Sequence, residues 1–297
     1  MDRALIDHWS SQQRLKETDS IIDFGCGSGI QALVLTVRSS GKAKVKCVDI
    51  NKRALRFTKF NFEWNNVDEP TLILGNINSS SGIFFETEGT PKPWKELLGE
   101  STTYLVSNPP FLPVPVQDHP ISSRYGLFSS GGSTGEEFFE SLVRLSPSLL
   151  DRNDPSATLA VVSEFMNPHV DFGLRLSSWW NDGGPAQALL LTNEDALDAS
   201  VYAQRRADSS EEAYKWEQHL QQEDIESISP GLMFLRRDPI TCGTKSQKEI
   251  KNTICDTHIV NLTQFFVPKT SEGSIWTPTN LDARDVTRHH IRKFTDH

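Results

Sequence analysis

The stretch IIDFGCGSGIQAL, residues 21–33, constrains what this chain can fold into more than any other. The apolar pair Ile21-Ile22 runs into Asp23, glycines follow at 25, 27 and 29, and a helix-forming segment opens at about Ile30. Such a run reads as a buried parallel strand meeting a tight turn. Glycine at alternate positions lets the backbone press directly against a ligand. A helix N-terminus behind the turn favours an electron-rich or carboxylate group. The spacing is G-x-G-x-G, not the G-x-G-x-x-G of dinucleotide folds, and no lysine follows as in a nucleotide phosphate loop. Both of those ligand classes are therefore disfavoured.

The rest of the pattern agrees with this start. Strands are expected at 20–25, 43–50, 71–77, 103–108 and 157–165, and helices at 30–41, 51–67 and 135–150. The helix at 51–67 carries apolar positions at 54, 55, 57, 60 and 62. The interval between 78 and 103 is polar and rich in Gly, Ser and Pro. A short helix over 4–14, a crossover helix over 169–180, a charged helix over 209–225 and closing strands at 186–193 and 227–237 complete the series. Alternating strands and helices of this kind specify a doubly wound α/β sheet. Residues 1–238 can belong to that one sheet, and residues 239–297 read as a weakly patterned C-terminal extension.

Bulk properties narrow the class of partner. With 37% hydrophobic residues and negative mean hydropathy the chain reads as soluble and globular. A formal charge of −9 disfavours life on a nucleic-acid backbone without excluding local basic patches. No apolar run reaches the length of a membrane helix. Cys26, Cys47, Cys242 and Cys255 show neither CxxC pairing nor metal-ligand spacing, which suits free thiols in a reducing compartment. The charged N-terminus lacks a signal-peptide core, so a cytoplasmic location is expected, or an organelle if a transit segment has been removed.

Three further places gather around the glycine loop. Strand two ends in Asp49, whose carboxylate can accept hydrogen bonds from both hydroxyls of a ribose, with helix N-capping as the structural alternative. Asn76, at the end of strand three, is placed to reach an adenine edge, with Ile77 and Ile50 flanking the base. Strand four ends in LVSNPPFLP, residues 105–113, where Pro109 and Pro110 remove two donors and stop the strand. What remains is a stiff corner presenting Asn108 and the ring of Phe111, suited to a planar group.

Together these motifs resemble the class I S-adenosylmethionine-dependent methyltransferases: DFGCGSG their first motif, VDIN their acidic ribose motif and SNPPF their fourth, catalytic motif. The resemblance covers residues 1–238 and implies a Rossmann-like, seven-stranded sheet. It also implies that S-adenosylmethionine lies across strands one to four. Asp23 and Gly25 would then flank the methionine moiety, Gly27 and Gly29 the loop beneath it, and Asp49 the ribose. Asn76 stands where many relatives have aspartate. The Asn108 side-chain oxygen and the Pro109 carbonyl would accept the N–H groups of an amide or aromatic amine, and Phe111 would stack on it.

SNPPFLP and the downstream YGLFSSGGSTGEEFFESLV (125–143) are most similar to the HemK/PrmC group. That group methylates the N5 of a protein glutamine, typically in a translation release factor. Phe111 departs from the tyrosine common there and matches RNA guanine-N2 enzymes, and no N-terminal helical substrate domain precedes strand one. A base N-methyltransferase on guanine N2 or adenine N6 is the alternative, and a methyltransferase-like module without catalysis a second. The histidines have no metal-site spacing, and Glu136-Glu137 and Glu211-Glu212 read as solvated helix starts. Trp179-Trp180 reads as core. RHHIRKF (288–294) is the densest basic patch.

Overall fold

The computed structural model describes residues 18–78, 82–87, 90–92, 97–99, 101–114, 129–180, 183–192, 196–237, 254–261, 267–268 and 276–277. The helix expected over 4–14, the basic tail, His119, residues 125–128 and the Asn76 side chain lie outside that description. The chain divides into two compact units, Met1–Pro109 with Glu140–Val161, and Pro110–Phe139 with Val162–His297.

The first unit is built on parallel strands. β1 (Ser20–Phe24) lies between β2 (Lys44–Asp49) and β6 (Tyr104–Ser107), with Ile22 facing Lys46 on one side and Leu105 on the other. β3 (Thr71–Asn78) pairs parallel to β2, and the start of β7 (Thr158–Met166) pairs parallel to β6. Strand order thus reverses between β1 and β6, which is where open α/β sheets bind ligands outside the carboxyl ends of their strands. Ile21, Ile22, Phe24 and Leu105 are essentially inaccessible to solvent, as expected for strands covered on both faces. α1 (Ile30–Arg38) and α2 (Lys52–Trp64) follow β1 and β2, and α1 ends where Gly41, at φ 75°, donates its N–H back to the Thr36 carbonyl.

One expectation fails here. The polar interval after β3 holds an antiparallel extension, β4 (Gly82–Thr87) on β3 and β5 (Thr90–Lys92) on β4. Its strands are short, and Gly, Ser and Pro on either side mask them from composition.

The second unit takes the remainder of β7, then β10 (Ser227–Arg237), β8 (Ala186–Thr192) and β11 (Ile254–Asn261), in that order. β10 runs antiparallel to β8, and β11 runs parallel to it. Residues 254–261, within the weakly patterned C-terminal extension, therefore form a sheet strand. The two-residue β9 (Leu197–Asp198) pairs with β10, and β12 (Val267–Pro268) pairs with β13 (Trp276–Thr277). α3 (Glu137–Leu149) begins in this unit, which also holds α4 (Phe172–Trp179), α5 (Ala199–Arg206) and α6 (Ser210–Gln222). Phe139 makes edge contacts with Phe165 and Trp179 at centroid distances of 5.7 and 5.5 Å, and Trp180 is fully buried. The tryptophan pair is core, as its sequence suggested.

α6 starts as expected from its Ser/Glu pattern. Ser209 Oγ accepts from the Glu212 N–H, and Glu212 Oε2 accepts from the Asp208 N–H. Glu136, by contrast, is not a solvated helix start. It is 7% exposed and its carboxylate receives the Arg175 guanidinium at 3.1 Å, because α4 brings that cation onto the N-terminus of α3. Gly231 on β10 has no room for a side chain, since a Cβ there would stand 2.4 Å from the Leu191 carbonyl oxygen. Gly231→Ala should lower stability by about 1–3 kcal/mol, read as an earlier midpoint in urea unfolding.

Candidate active site

The glycine loop is held open by neighbours remote in sequence. Gly25, Gly27 and Gly29 adopt φ of 67°, 56° and 75°, a left-handed backbone that side chains resist. The Gly25 and Cys26 N–H groups both donate to the Val48 carbonyl, at 2.8 and 3.1 Å. The Gly27 N–H donates to Asp49 Oδ2 at 2.9 Å, while Asp49 Oδ1 accepts from the Asn51 N–H at 2.8 Å. The helix cap is Asn51, whose side chain accepts from the Arg53 N–H, so Asp49 is not the N-cap of α2. Asp49 braces the loop with one lone pair on each oxygen and keeps another on each for further donors such as ribose hydroxyls.

Residues that sequence reasoning missed supply the rest of the brace. Thr58 Oγ1 donates to the Gly27 carbonyl at 3.1 Å, and Asn61 Nδ2 donates to the Ser28 carbonyl at 2.8 Å. A Cβ on Gly29 would fall 2.5 Å from the Thr58 methyl, so that glycine is demanded by packing on α2. Nothing local marks Thr58 or Asn61 in the sequence, because their partners lie about thirty residues upstream. Cys26 and Cys47 are free and buried, as expected. A hydrogen bond to Cys26, and then burial, push the Cys47 thiol far above its ordinary range, which makes it an inert core group.

Asp23 is the unusual member. It is 1% exposed at the end of β1, and its Oδ2 accepts from the Ala32 N–H at 3.1 Å. It thereby caps α1 from a distance, since Gly29 at the N-cap position has no side chain to do so. Its other oxygen, Oδ1, is buried with no hydrogen-bond partner among the described residues. Burial pushes the carboxyl up to about 7, the Ala32 N–H opposes that, and the charge of Asp49 adds to it. A carboxylate seated on the first turn of α1 also takes the place where a phosphate would bind, in keeping with the G-x-G-x-G spacing.

On the other side of the switch point, β6 ends in register with β1, Ser107 opposite Phe24, and the buried Ser107 hydroxyl donates to the Phe24 carbonyl at 2.7 Å. The next residue is Asn108, which is exposed, and its carbonyl oxygen lies 3.9 Å from where a Gly25 Cβ would stand. Pro109 is buried behind it. Ile50, beside Asp49, is 65% exposed, whereas Ile77 on β3 is 7% exposed and belongs to the core. The structure thus brings Asp23, the three glycines, Asp49, Ile50, Asn108 and Pro109 to the carboxyl edge of one parallel sheet.

Phe111 belongs to the second unit, where it is half-buried against a core cluster that includes Leu112, Val114, Met166 and Trp216. Its segment is tied to the glycine-rich stretch: Leu112 N–H donates to the Ser129 carbonyl, Gly131 N–H to Leu112 and Val114 N–H to Gly132, at 2.8–2.9 Å. A Cβ on Gly135, at φ 77°, would stand 2.6 Å from the Phe111 carbonyl oxygen, so the backbones touch directly.

A family model described as ribosomal protein L11 methyltransferase (PrmA) matches residues 8–84. The chain is 31% identical over 93 residues to a ribosomal RNA small subunit methyltransferase C of Shewanella sediminis, covering 31% of this chain and 26% of that protein. It is 28% identical over 140 residues to a release factor glutamine methyltransferase of Chlorobaculum tepidum, covering 45% and 42%. A ribosomal protein L11 methyltransferase of Neisseria meningitidis is 43% identical over 60 residues, covering 20% and 19%. The chain therefore spans less than half the length of these curated relatives. An rRNA methylase structure from Streptococcus thermophilus aligns over 79% of this chain and 96% of its own, at 14% identity and a TM-score of 0.42.

In strand order, glycine loop and matched segment this chain is similar to the class I S-adenosylmethionine-dependent methyltransferases. S-adenosylmethionine, the cofactor of that class, fits the residues present. Its ammonium and sulfonium are cationic, and the buried Oδ1 of Asp23 is a carboxyl oxygen with no hydrogen-bond partner among the described residues, whose ionised form a cation would favour.

The raised pKa has a consequence for stability. Folded Asp23 holds its proton up to about pH 7, against an ordinary value of 3.8, so this group favours folding at low pH and costs stability as pH rises between those values. Without cofactor, Asp23→Asn should unfold at higher urea than wild type at pH 8, by on the order of 2–4 kcal/mol, with the gap closing toward pH 4. Cofactor affinity of wild type should rise with pH through about 7 and lose that dependence in the variant, measured by titration calorimetry.

Proposed function

We propose that the protein transfers a methyl group to a planar nitrogen, and that the acceptor is the side-chain amide of a protein glutamine. The observation that carries this reading is the position of Asn108. It follows the strand neighbouring β1 at the switch point, exposed, with its backbone within van der Waals distance of the loop at Gly25. When bound, the cofactor supplies a methyl on a positively charged sulfur that leaves as a neutral thioether. The protein's task is then to align the acceptor and exclude water.

An amide nitrogen is a poor nucleophile because its lone pair is delocalised into the carbonyl. Two acceptors aimed at its N–H groups, the Asn108 side-chain oxygen and the Pro109 carbonyl, hold it in line and favour its pyramidal form. Once the N–CH3 bond has formed, the methylated nitrogen is strongly acidic and gives up its extra proton to solvent as the product leaves the corner, restoring the neutral amide. Pro109 and Pro110 bring no N–H of their own to compete. Ser107 sets the height of this corner by its bond to Phe24.

Support for glutamine comes from the SNPPF motif and from the longest curated similarity quoted above, to a release factor glutamine methyltransferase. A second reading, the exocyclic amine of an RNA base, is supported by Phe111 and by the similarity to a ribosomal RNA methyltransferase. Labelled S-adenosylmethionine offered with a GGQ-containing release factor and, separately, with total RNA distinguishes the two. Transfer to the release factor is expected. Label in RNA alone would support the second reading, and no transfer despite cofactor binding would indicate a binding module. Asn108→Ala should reduce transfer by about a hundredfold or more while cofactor binding persists. Transfer that survives the substitution would remove Asn108 from the mechanism.

A further inference from the structure

Helix α2 has two faces, and the mechanism uses one of them. Leu55, Thr58 and Phe62 are buried, and this side braces the glycine loop. At about 100° per residue, Arg53, Phe57, Phe60 and Trp64 fall within roughly 60° of one another on the opposite side. The three rings are 48%, 53% and 75% exposed. The Arg53 guanidinium lies 5.5 Å from the centroid of Phe57, and Phe60 and Trp64 stack at 5.7 Å with their planes 27° apart. Three large rings lined up toward solvent are more than a helix needs to pack on its sheet.

Charge on this helix opposes that of the molecule. Lys52, Arg53, Arg56 and Lys59 face a single Glu63, in a chain whose formal charge is −9. Lys59 is engaged with Glu63 and Glu69. Lys52, Arg53 and Arg56 are exposed and have no carboxylate partner among the described residues. An apolar protein partner would use the rings and leave the cations unpaired. An acidic peptide would use the cations and leave the rings idle. A single-stranded polynucleotide uses both, bases stacking on ring faces and phosphates meeting the cations. We propose that the outward face of α2 binds single-stranded RNA, whichever nitrogen the enzyme methylates.

Fluorescence anisotropy with a short labelled uridine-rich strand tests this on the full chain. Wild type should bind at low salt and weaken steeply when salt is raised about fourfold. Phe60→Ala and Trp64→Ala should each weaken binding about tenfold. Arg56→Ala should lower the salt slope by about 0.7. Both ring variants should retain wild-type cofactor affinity, which reports that the loop and fold are intact, and Asn108→Ala should bind the strand as wild type does. That last comparison separates failure of this surface from failure of the methyl-transfer reading. The proposal is overturned if the strand does not bind at low salt, or if binding ignores the ring substitutions. Equally decisive would be an acidic peptide binding as well as RNA, or self-association of wild type that the ring variants abolish.

Discussion

The hydrogen bond from the Gly27 N–H to the Asp49 carboxylate, with the twin bonds from Gly25 and Cys26 to the Val48 carbonyl, holds the end of β1 to the end of β2. Three glycines at positive φ are costly to order, because glycine loses more backbone freedom than any other residue. Each brace returns only about 0.5–1.5 kcal/mol net, so no one of them suffices. The loop persists because it is held from two directions, by the β2 edge and by Thr58 and Asn61 on α2. Remove that bracing and the left-handed turn, the seat of Asp23 and the approach of Gly25 to Asn108 all lose their support.

Asp23 shows what such a site costs. A carboxylate 1% exposed, with one oxygen orphaned, is a poor choice for an empty fold. It is a good choice for receiving a cation, because its desolvation is paid at folding and its charge is poorly screened. The Ala32 N–H fixes one oxygen, so the other is held ready. Asp49 follows another strategy. Each of its oxygens accepts from a backbone donor, so the carboxylate holds the loop and the start of α2 while keeping a lone pair on each oxygen.

The second unit handles its aromatic residue differently. Phe111 is set by backbone contact with Gly135 and by three main-chain hydrogen bonds linking 112–114 to 129–132. Main-chain positioning of this kind leaves the ring's chemistry free while fixing where it starts. Helix α2 likewise separates two tasks by face, polar groups toward the loop and rings with cations outward.

Local chemistry made much of this readable without coordinates. The glycine spacing, the acid ending β2 and the double proline ending β6 each state their own backbone requirement, and the alternation of strands and helices follows from apolar periodicity. The Ser209–Glu212 helix start and the buried Trp179-Trp180 pair were equally legible. What could not be read were facts that depend on distant partners. Glu136 looked solvated until Arg175 was seen beside it, and the β4–β5 extension hid in a polar interval. Thr58, Asn61 and Ser107 looked ordinary because their hydrogen bonds span 31, 33 and 83 residues. The sequence by itself determined the strand-loop-helix grammar and the side chains offered at the sheet's carboxyl edge. Tertiary structure alone decided which of them brace the loop and which remain free for ligand, because a hydrogen bond's partner is chosen by proximity in space and leaves no periodic trace along the chain.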